Sequence, residues 1–217
     1  MENLHLIIGN KNYSSWSLRP WIAMKMAGLK FEETVIPLYE ENSKEKLLVV
    51  SPVGTVPVLK DEDLTISDSL AILEYLADKY PQSHLLPDTL QDRAKLRSVC
   101  SEMHSGFFPL RGAMPMNTKK TISLNLSDDV VANVNRVKAI WLDCRGTYAS
   151  KGPFLFGHFT IADAMFAPVV SRFKTYGIEL DPVCAEYCQI ILDLPAMKLW
   201  YADAAKETWV IQQSEIG

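Results

Sequence analysis

Leu4, Leu6 and Ile8 alternate with His5 and Ile7 before Gly9-Asn10, a pattern that predicts a short strand closing in a turn. A loop from Lys11 to Trp16 follows. Ser17 is then placed to cap a helix running to about Ala27: Pro20 suits a first turn, Trp21, Ile22 and Met26 share a face, and Gly28 stops it. Phe31 to Pro37 predicts a second strand, and a strand, helix and strand in so short a span make a βαβ unit with parallel strands and a right-handed crossover. A second helical stretch covers Ser43 to Val50. Two short apolar runs, Pro57 to Lys60 and Leu64 to Ile66, joined by Asp61-Glu62-Asp63, predict a hairpin. Ser67-Asp68-Ser69 opens a further helix that ends near Tyr80-Pro81.

The element order βαβαββα thus occupies residues 1–81, an α/β domain of ordinary small size. Residues 82–88 have the polar, proline-bearing composition of a linker. From 89 to 217 every periodic segment has helical spacing, which predicts an all-α bundle. Val130, Val134, Val137, Trp141 and Cys144 form one stripe; Ile161, Met165, Val169 and Phe173 form another. Thr160-Ile161-Ala162-Asp163 carries a signal like a capping box, with Asp163 where Glu or Gln is usual. Asp181-Pro182 and Pro195 begin two more helices. Between Gly112 and Ser127 the pattern breaks around Pro115, Asn117 and two lysines, which predicts a mobile segment.

Composition narrows the function classes. The 217 residues are 48% hydrophobic and 22% charged, with a net charge of −4 and no long run of like charge, so the chain lacks a nucleic-acid or anionic-membrane footprint. Met1-Glu2-Asn3 is not a basic leader, and the stretch from Leu4 to Gly9 is too short for a signal sequence or a membrane span, so a cytoplasmic protein is expected. Cys100, Cys144, Cys184 and Cys188 show neither Cys-x-x-Cys nor zinc spacing, and no metal site is expected.

Three places can carry chemistry. The loop Asn10 to Ser17 is rich in hydroxyls and leads from the end of a strand into a helix N-terminus, where an anion or a thiolate is stabilised; the structural alternative is that its serines only cap the helix. In Gly54-Thr55-Val56-Pro57, a cis proline opening a strand would leave the Val56 backbone free to pair with a peptide, against an ordinary trans turn. Asp68-Ser69 begins a helix whose free N–H groups suit a carboxylate, against a plain cap.

In order, spacing and element type these sites resemble the glutathione transferases. Ser51-Pro52-Val53-Gly54-Thr55-Val56-Pro57-Val58-Leu59 is similar to the family's Asn-Pro-x-Gly-x-Val-Pro-x-Leu, Ile66 to Ile72 to its Glu-Ser-x-Ala-Ile, and Phe159 to Asp163 to its Thr-x-Ala-Asp box. Ser14-Ser15-Trp16-Ser17-Leu18-Arg19 resembles the Ser-Ser-Cys-Ser-x-Arg motif of the zeta class and related bacterial serine-type enzymes, with Trp16 in place of cysteine. The resemblance implies a thioredoxin-like N-terminal domain, a helical substrate domain and a two-fold homodimer. It implies that Ser14 or Ser15 activates the glutathione thiol, with Tyr13 a weaker candidate. Trp16, Val56, Pro57, Asp68 and Ser69 would line the glutathione site, and Asn42, Lys44 or Lys46 would hold the glycyl carboxylate. The small electrophile would lie near Met103, His104, Phe107, Phe108, Arg111 and Arg172. Transfer to that electrophile in detoxification leads; glutathione-dependent isomerisation of the maleylacetoacetate type, peroxidase activity and a non-catalytic binding or structural role are the alternatives.

Overall fold

The computed structural model describes residues 4–216; residues 1–3, where the sequence places the start of the N-terminal domain, and residue 217 lie outside them. The N-terminal half contains β1 (Leu4–Ile8), α1 (Ser15–Met26), β2 (Glu32–Val35), α2 (Ser43–Val50), β3 (Val58–Asp61), β4 (Leu64–Ser67) and α3 (Ser69–Lys79). Its four strands form one mixed sheet in the order β2-β1-β3-β4, with β1 and β2 parallel and the other two pairings antiparallel. This is the thioredoxin-like arrangement that the resemblance implies. The second half is helical: α4 (Leu90–Ser105), α5 (Phe108–Ala113), α6 (Asp128–Tyr148), α7 (Ile161–Thr175), α8 (Pro182–Asp193) and α9 (Pro195–Lys206).

The two halves share one core. Leu6, Trp21 and Leu76 belong to the same buried cluster as Trp141, Phe166 and Trp200, and Leu85 and Leu86 of the linker join it. α1 packs against α7 and α9, and the rings of Trp21 and Trp200 meet edge to face at 5.0 Å. A separate small cluster of Ile7, Ile36, Leu47 and Val58 lies beneath α2. The predicted stripe of α7 is buried, but so is nearly every other residue of that helix, because α1, α4 and α8 surround it. Thr160 and Asp163 form the expected capping box.

Two expectations change. The first helix is capped by Ser14 rather than Ser17: the Ser14 Oγ accepts the Ser17 amide at 3.3 Å, while the Ser17 hydroxyl is taken by the Gly9 amide at 3.0 Å. Pro20 therefore sits deeper in the helix than a first turn, where it cannot donate to the Trp16 carbonyl. The segment after α5 is irregular, as the broken pattern predicts, yet it is tied down. Its carbonyls accept from Arg172, Tyr176 and Thr175, and the Ile122 amide donates to the Thr175 carbonyl at 2.7 Å. Asn117 inside it is fully buried. These bonds make the segment an anchored strap rather than a mobile loop.

Candidate functional site

The site lies where the N-terminus of α1 meets α4, α5 and α7. The chain turns after β1 through Asn10, whose carbonyl accepts the amides of Tyr13 (3.1 Å) and Ser14 (2.8 Å). This brings Ser14 and Ser15 to the positive end of α1, and both are buried. The Ser14 hydroxyl donates to Ser17 Oγ at 2.7 Å. Ser15 Oγ accepts from Arg172 Nη2 at 3.2 Å, reaching across to α7.

Three arginines converge on this point from α1, α5 and α7. Arg19 is 1% exposed and donates to Ser69 Oγ at 3.3 Å; Arg172 is 4% exposed and also donates to the Met114 carbonyl at 2.7 Å. Arg111 donates to the carbonyls of Met103 and His104. Among the described residues none of the three forms an ion pair. Burial, reinforced by the charges of Arg172 and Arg111, lowers the Arg19 guanidinium to about 9, with Asp68 pulling the other way. Burial and then Arg111 lower Arg172 to about 10, and burial lowers Arg111 as well. Arg19 Nε and Arg172 Nη1 are buried without a hydrogen-bond partner. Guanidinium donors left unbonded suit an anion, with a carboxylate matching their fork geometry best.

Trp16 occupies the middle of this group. Its ring lies 4.3 Å from the Arg19 guanidinium carbon and 5.0 Å from that of Arg111, and the His104 ring meets it edge-on at 5.3 Å. Phe108 stands at the rim, 66% exposed, with Arg111 5.0 Å from its ring, whereas Phe107 is buried with a left-handed φ of 58°. Phe107 thus belongs to the core wall, and Phe108 is the aromatic left accessible.

The remaining predicted residues surround the α1 loop. The Val56-Pro57 bond is cis, and no hydrogen bond among the described residues uses the Val56 backbone. β3 itself, beginning at Val58, is paired on both edges. Asp68, with φ at 85°, caps α3 by accepting the amides of Leu70 (2.8 Å) and Ala71 (3.1 Å), so the capping alternative holds for one oxygen. Its other oxygen lies 3.2 Å from His104 Nε2. Ser69 is fully buried and faces Arg19. His104 therefore touches both Trp16 and Asp68, bridging the two groups. Asn42, at the start of α2 with φ at 64°, and Lys44 and Lys46 are exposed, with no ion pair among the described residues. Tyr13 points away, donating to Glu215 at 2.6 Å, and this bond together with burial raises its phenol pKa, which opposes ionisation.

Arg19 carries no assigned role at the sequence level, although a charged residue flanked by Leu18, Pro20, Trp21 and Ile22 on a buried helix is a signal in itself. The four cysteines are buried and free; burial raises all four thiols, Cys144, Cys184 and Cys188 to about 12.

Comparison with known proteins agrees with this geometry. Residues 13–79 match the family model described as the glutathione S-transferase N-terminal domain, and residues 131–203 match that of the glutathione S-transferase C-terminal domain. The chain is 28% identical over 203 residues to glutathione S-transferase Z2 of Arabidopsis thaliana, covering 87% of this chain and 88% of the relative. It is 26% identical over 215 residues to a probable maleylacetoacetate isomerase of Caenorhabditis elegans, covering 96% and 98%. Among solved structures, a glutathione transferase homologue from Burkholderia GL BGR1 with bound glutathione superposes with a TM-score of 0.72 at 23% identity, over 94% of this chain and all of that one.

Proposed function

The chain belongs to the glutathione S-transferase family, and on that premise we propose that it ionises the glutathione thiol at the N-terminus of α1 and directs it to a small acidic electrophile. The observation that carries the second half is the pair of buried guanidiniums, Arg19 and Arg172, each with an unbonded nitrogen beside the serine loop. Glutathione would supply a nucleophilic sulfur and two carboxylates. The unpaired Val56 backbone suits its cysteinyl amide. Ser69 at the start of α3 suits the γ-glutamyl carboxylate, and the carboxylate of Asp68 suits its ammonium. Asn42 and Lys44 stand free for the glycyl carboxylate. No metal takes part in this reading.

A free thiol has a pKa of about 8.5, and lowering it by about two units requires roughly 2.7 kcal/mol of selective stabilisation of the thiolate. Ser14 is the donor that fits. Its hydroxyl lies at the positive end of α1, and its partner Ser17 can rotate to donate its own O–H to Ser14 Oγ, which frees the Ser14 hydrogen for sulfur. Ser15, held by Arg172, faces the electrophile side. Arg172 and Arg19 would bind the electrophile's carboxylate, Arg111 and Phe108 would form the mouth, and Trp16 would hold Arg19 and Arg111 in place by stacking.

The same arginines suit a second reading, glutathione-dependent isomerisation of an unsaturated acid, which relatives named maleylacetoacetate isomerase support over 78–96% of the chain. Product analysis separates the two: a thioether means transfer, and an isomer with glutathione regenerated means isomerisation. Within either reading the molecule is a cytoplasmic two-fold homodimer, which sedimentation would test.

The decisive experiment titrates glutathione by calorimetry into the unmodified protein, Ser14→Ala and Ser15→Ala while thiolate absorbance is followed against pH. Ser14→Ala should bind glutathione but lose the depressed thiol pKa. Ser15→Ala should keep it and raise KM for anionic electrophiles. An unshifted thiol in the unmodified protein refutes the catalytic reading.

A further inference from the structure

The backbone groups of the two residues that lead into the serine loop are held from the other half of the molecule. Glu207 follows the last residue of α9, and its carboxylate accepts the Lys11 amide at 2.6 Å and the Asn12 amide at 3.0 Å, one on each oxygen. Trp200 Nε1 donates to the Lys11 carbonyl at 2.8 Å, and the Thr118 amide donates to the Asn12 carbonyl at 3.3 Å. All four backbone polar groups of Lys11 and Asn12 are therefore satisfied by residues at positions 118, 200 and 207. A connecting loop between a strand and a helix ordinarily faces solvent; Lys11 and Asn12 are buried and bonded instead.

The side chains repeat the pattern in part, with Lys11 reaching partners in both halves. Lys11 is 5% exposed, pairs with Asp203 Oδ2 at 2.9 Å and Glu33 Oε1 at 2.7 Å, and lies 5.1 Å and 5.5 Å from the rings of Trp21 and Trp200. Asn12 Oδ1 accepts both the amide and the hydroxyl of Thr118, at 2.9 and 2.8 Å. The next residue, Tyr13, is bonded to Glu215, which also accepts from Asn117 at 2.9 Å and pairs with Lys120 at 2.8 Å. Ser14 comes immediately afterwards.

We propose that Glu207, with Trp200, is a positioning residue for the thiol-activating hydroxyl: the carboxylate at the end of α9 fixes the Lys11-Asn12 backbone and so sets where Ser14 stands relative to the glutathione sulfur. The inference rests on the serine-thiolate reading above and extends it to a part of the chain that touches neither substrate. It also predicts a sign. A carboxylate acting only through space disfavours a nearby thiolate, so neutralising it would lower the thiol pKa. A carboxylate acting by position does the reverse, because its loss lets Ser14 drift and returns the thiol toward its free value.

The test uses the full chain as Glu207→Gln and, separately, Trp200→Phe. The glutamine keeps the shape but sets an amide donor against one backbone N–H; the phenylalanine keeps an aromatic ring but removes the donor to the Lys11 carbonyl. Calorimetry gives glutathione affinity, and thiolate absorbance against pH gives the bound thiol pKa. The expected result is affinity within about threefold of the unmodified protein, because Val56, Asp68 and Ser69 are untouched, with a thiol pKa higher by about one unit and kcat/KM lower by about tenfold. If the unmodified protein has a depressed thiol pKa and both variants leave it unchanged or lower it, the positioning role is overturned while the serine-thiolate reading stands. If the unmodified protein shows no depression, the underlying reading falls and takes this role with it. Should Glu207→Gln fail to bind glutathione at all, the thiol pKa of Trp200→Phe decides between the two.

Discussion

Replacing Arg172 by methionine should leave the fold about as stable as before and remove most of the activity toward anionic electrophiles. Burial, reinforced by Arg111, lowers the Arg172 guanidinium from its ordinary value to about 10, which corresponds to roughly 3 kcal/mol of folding free energy lost. The substitution relieves that cost. Against it stands the loss of the bonds to the Met114 carbonyl and Ser15, with the buried carbonyl left unpaired at about 1–3 kcal/mol. The net is zero to ~2 kcal/mol in favour of the variant, or a rise in Tm of at most about 4–8 °C at about 2–4 °C per kcal/mol for a chain of this size. A bound carboxylate satisfies the free Nη1, so a dicarboxylate such as maleate at about a hundred times its Kd should stabilise the unmodified protein by ~2.7 kcal/mol and the variant hardly at all. In steady-state kinetics, kcat/KM should fall by about two orders of magnitude for a carboxylate-bearing electrophile, from ~2–4 kcal/mol of lost charge-assisted binding, and by no more than about threefold for neutral chlorodinitrobenzene. The reasoning is refuted by equal losses on both electrophiles, or by a variant that unfolds several kcal/mol more easily while maleate leaves the unmodified Tm unmoved.

Trp16→Ala should destabilise the fold by about 1–3 kcal/mol through lost burial and two cation–π contacts, and should raise KM for anionic electrophiles, because Arg19 and Arg111 lose the ring between them; urea unfolding and kinetics on the same sample read both, and stability with KM unmoved would rule out stacking as its role. Asp163 gives a pH signature. Burial pushes its carboxyl up to about 6, above its ordinary 3.8, despite bonds from Leu155, Thr160 and Tyr187. A carboxyl whose folded pKa is raised binds more protons in the native state, so its contribution falls as pH rises from about 4 to about 6, by roughly 3 kcal/mol in all. The stability difference between the unmodified protein and Asp163→Asn should therefore shift in the variant's favour across that interval, and a pH-independent difference would show that the carboxyl is not raised.

The elements were legible because each rests on local chemistry. The alternation at Leu4, Leu6 and Ile8, the hairpin at Asp61-Glu62-Asp63, and the prolines at 182 and 195 all lie where the structure has the matching strand, turn or helix start. The start of α1 was misplaced by local ambiguity: Ser14, Ser15 and Ser17 can each cap a helix, and what decides among them is the Gly9 amide, which claims the Ser17 hydroxyl from the end of β1. The strap after α5 was misread for a similar reason. Its polar composition resembles a free loop, but its partners, Asn12, Arg172, Thr175 and Tyr176, are distant in the chain and invisible to any local pattern. At the site, the serine motif was readable as a contiguous run, whereas the arginine cluster was not. Arg19, Arg111 and Arg172 lie on three helices, and only the packing of α1 against α7 brings two of them to one point.

That packing also explains why the two halves need fastening away from the cleft. Arg19 on α1 and Arg172 on α7 carry like charges across the same helix interface; beyond burial, Arg172 lowers the affinity of Arg19 for a proton and Arg111 lowers that of both. Repulsion there favours separation of the halves at the point where an anion would enter. The apolar contact of Trp21 with Trp200, and the bonds of Lys11 and Asn12 to α9 and Glu207, hold the same halves together at the base of the loop. The charges can then remain uncompensated without opening the cleft, since the ties that resist them do not use the guanidinium nitrogens an anion requires. A site assembled this way keeps its donors free and its geometry fixed before any ligand arrives, which is the condition under which binding energy goes into the reacting complex rather than into ordering the protein.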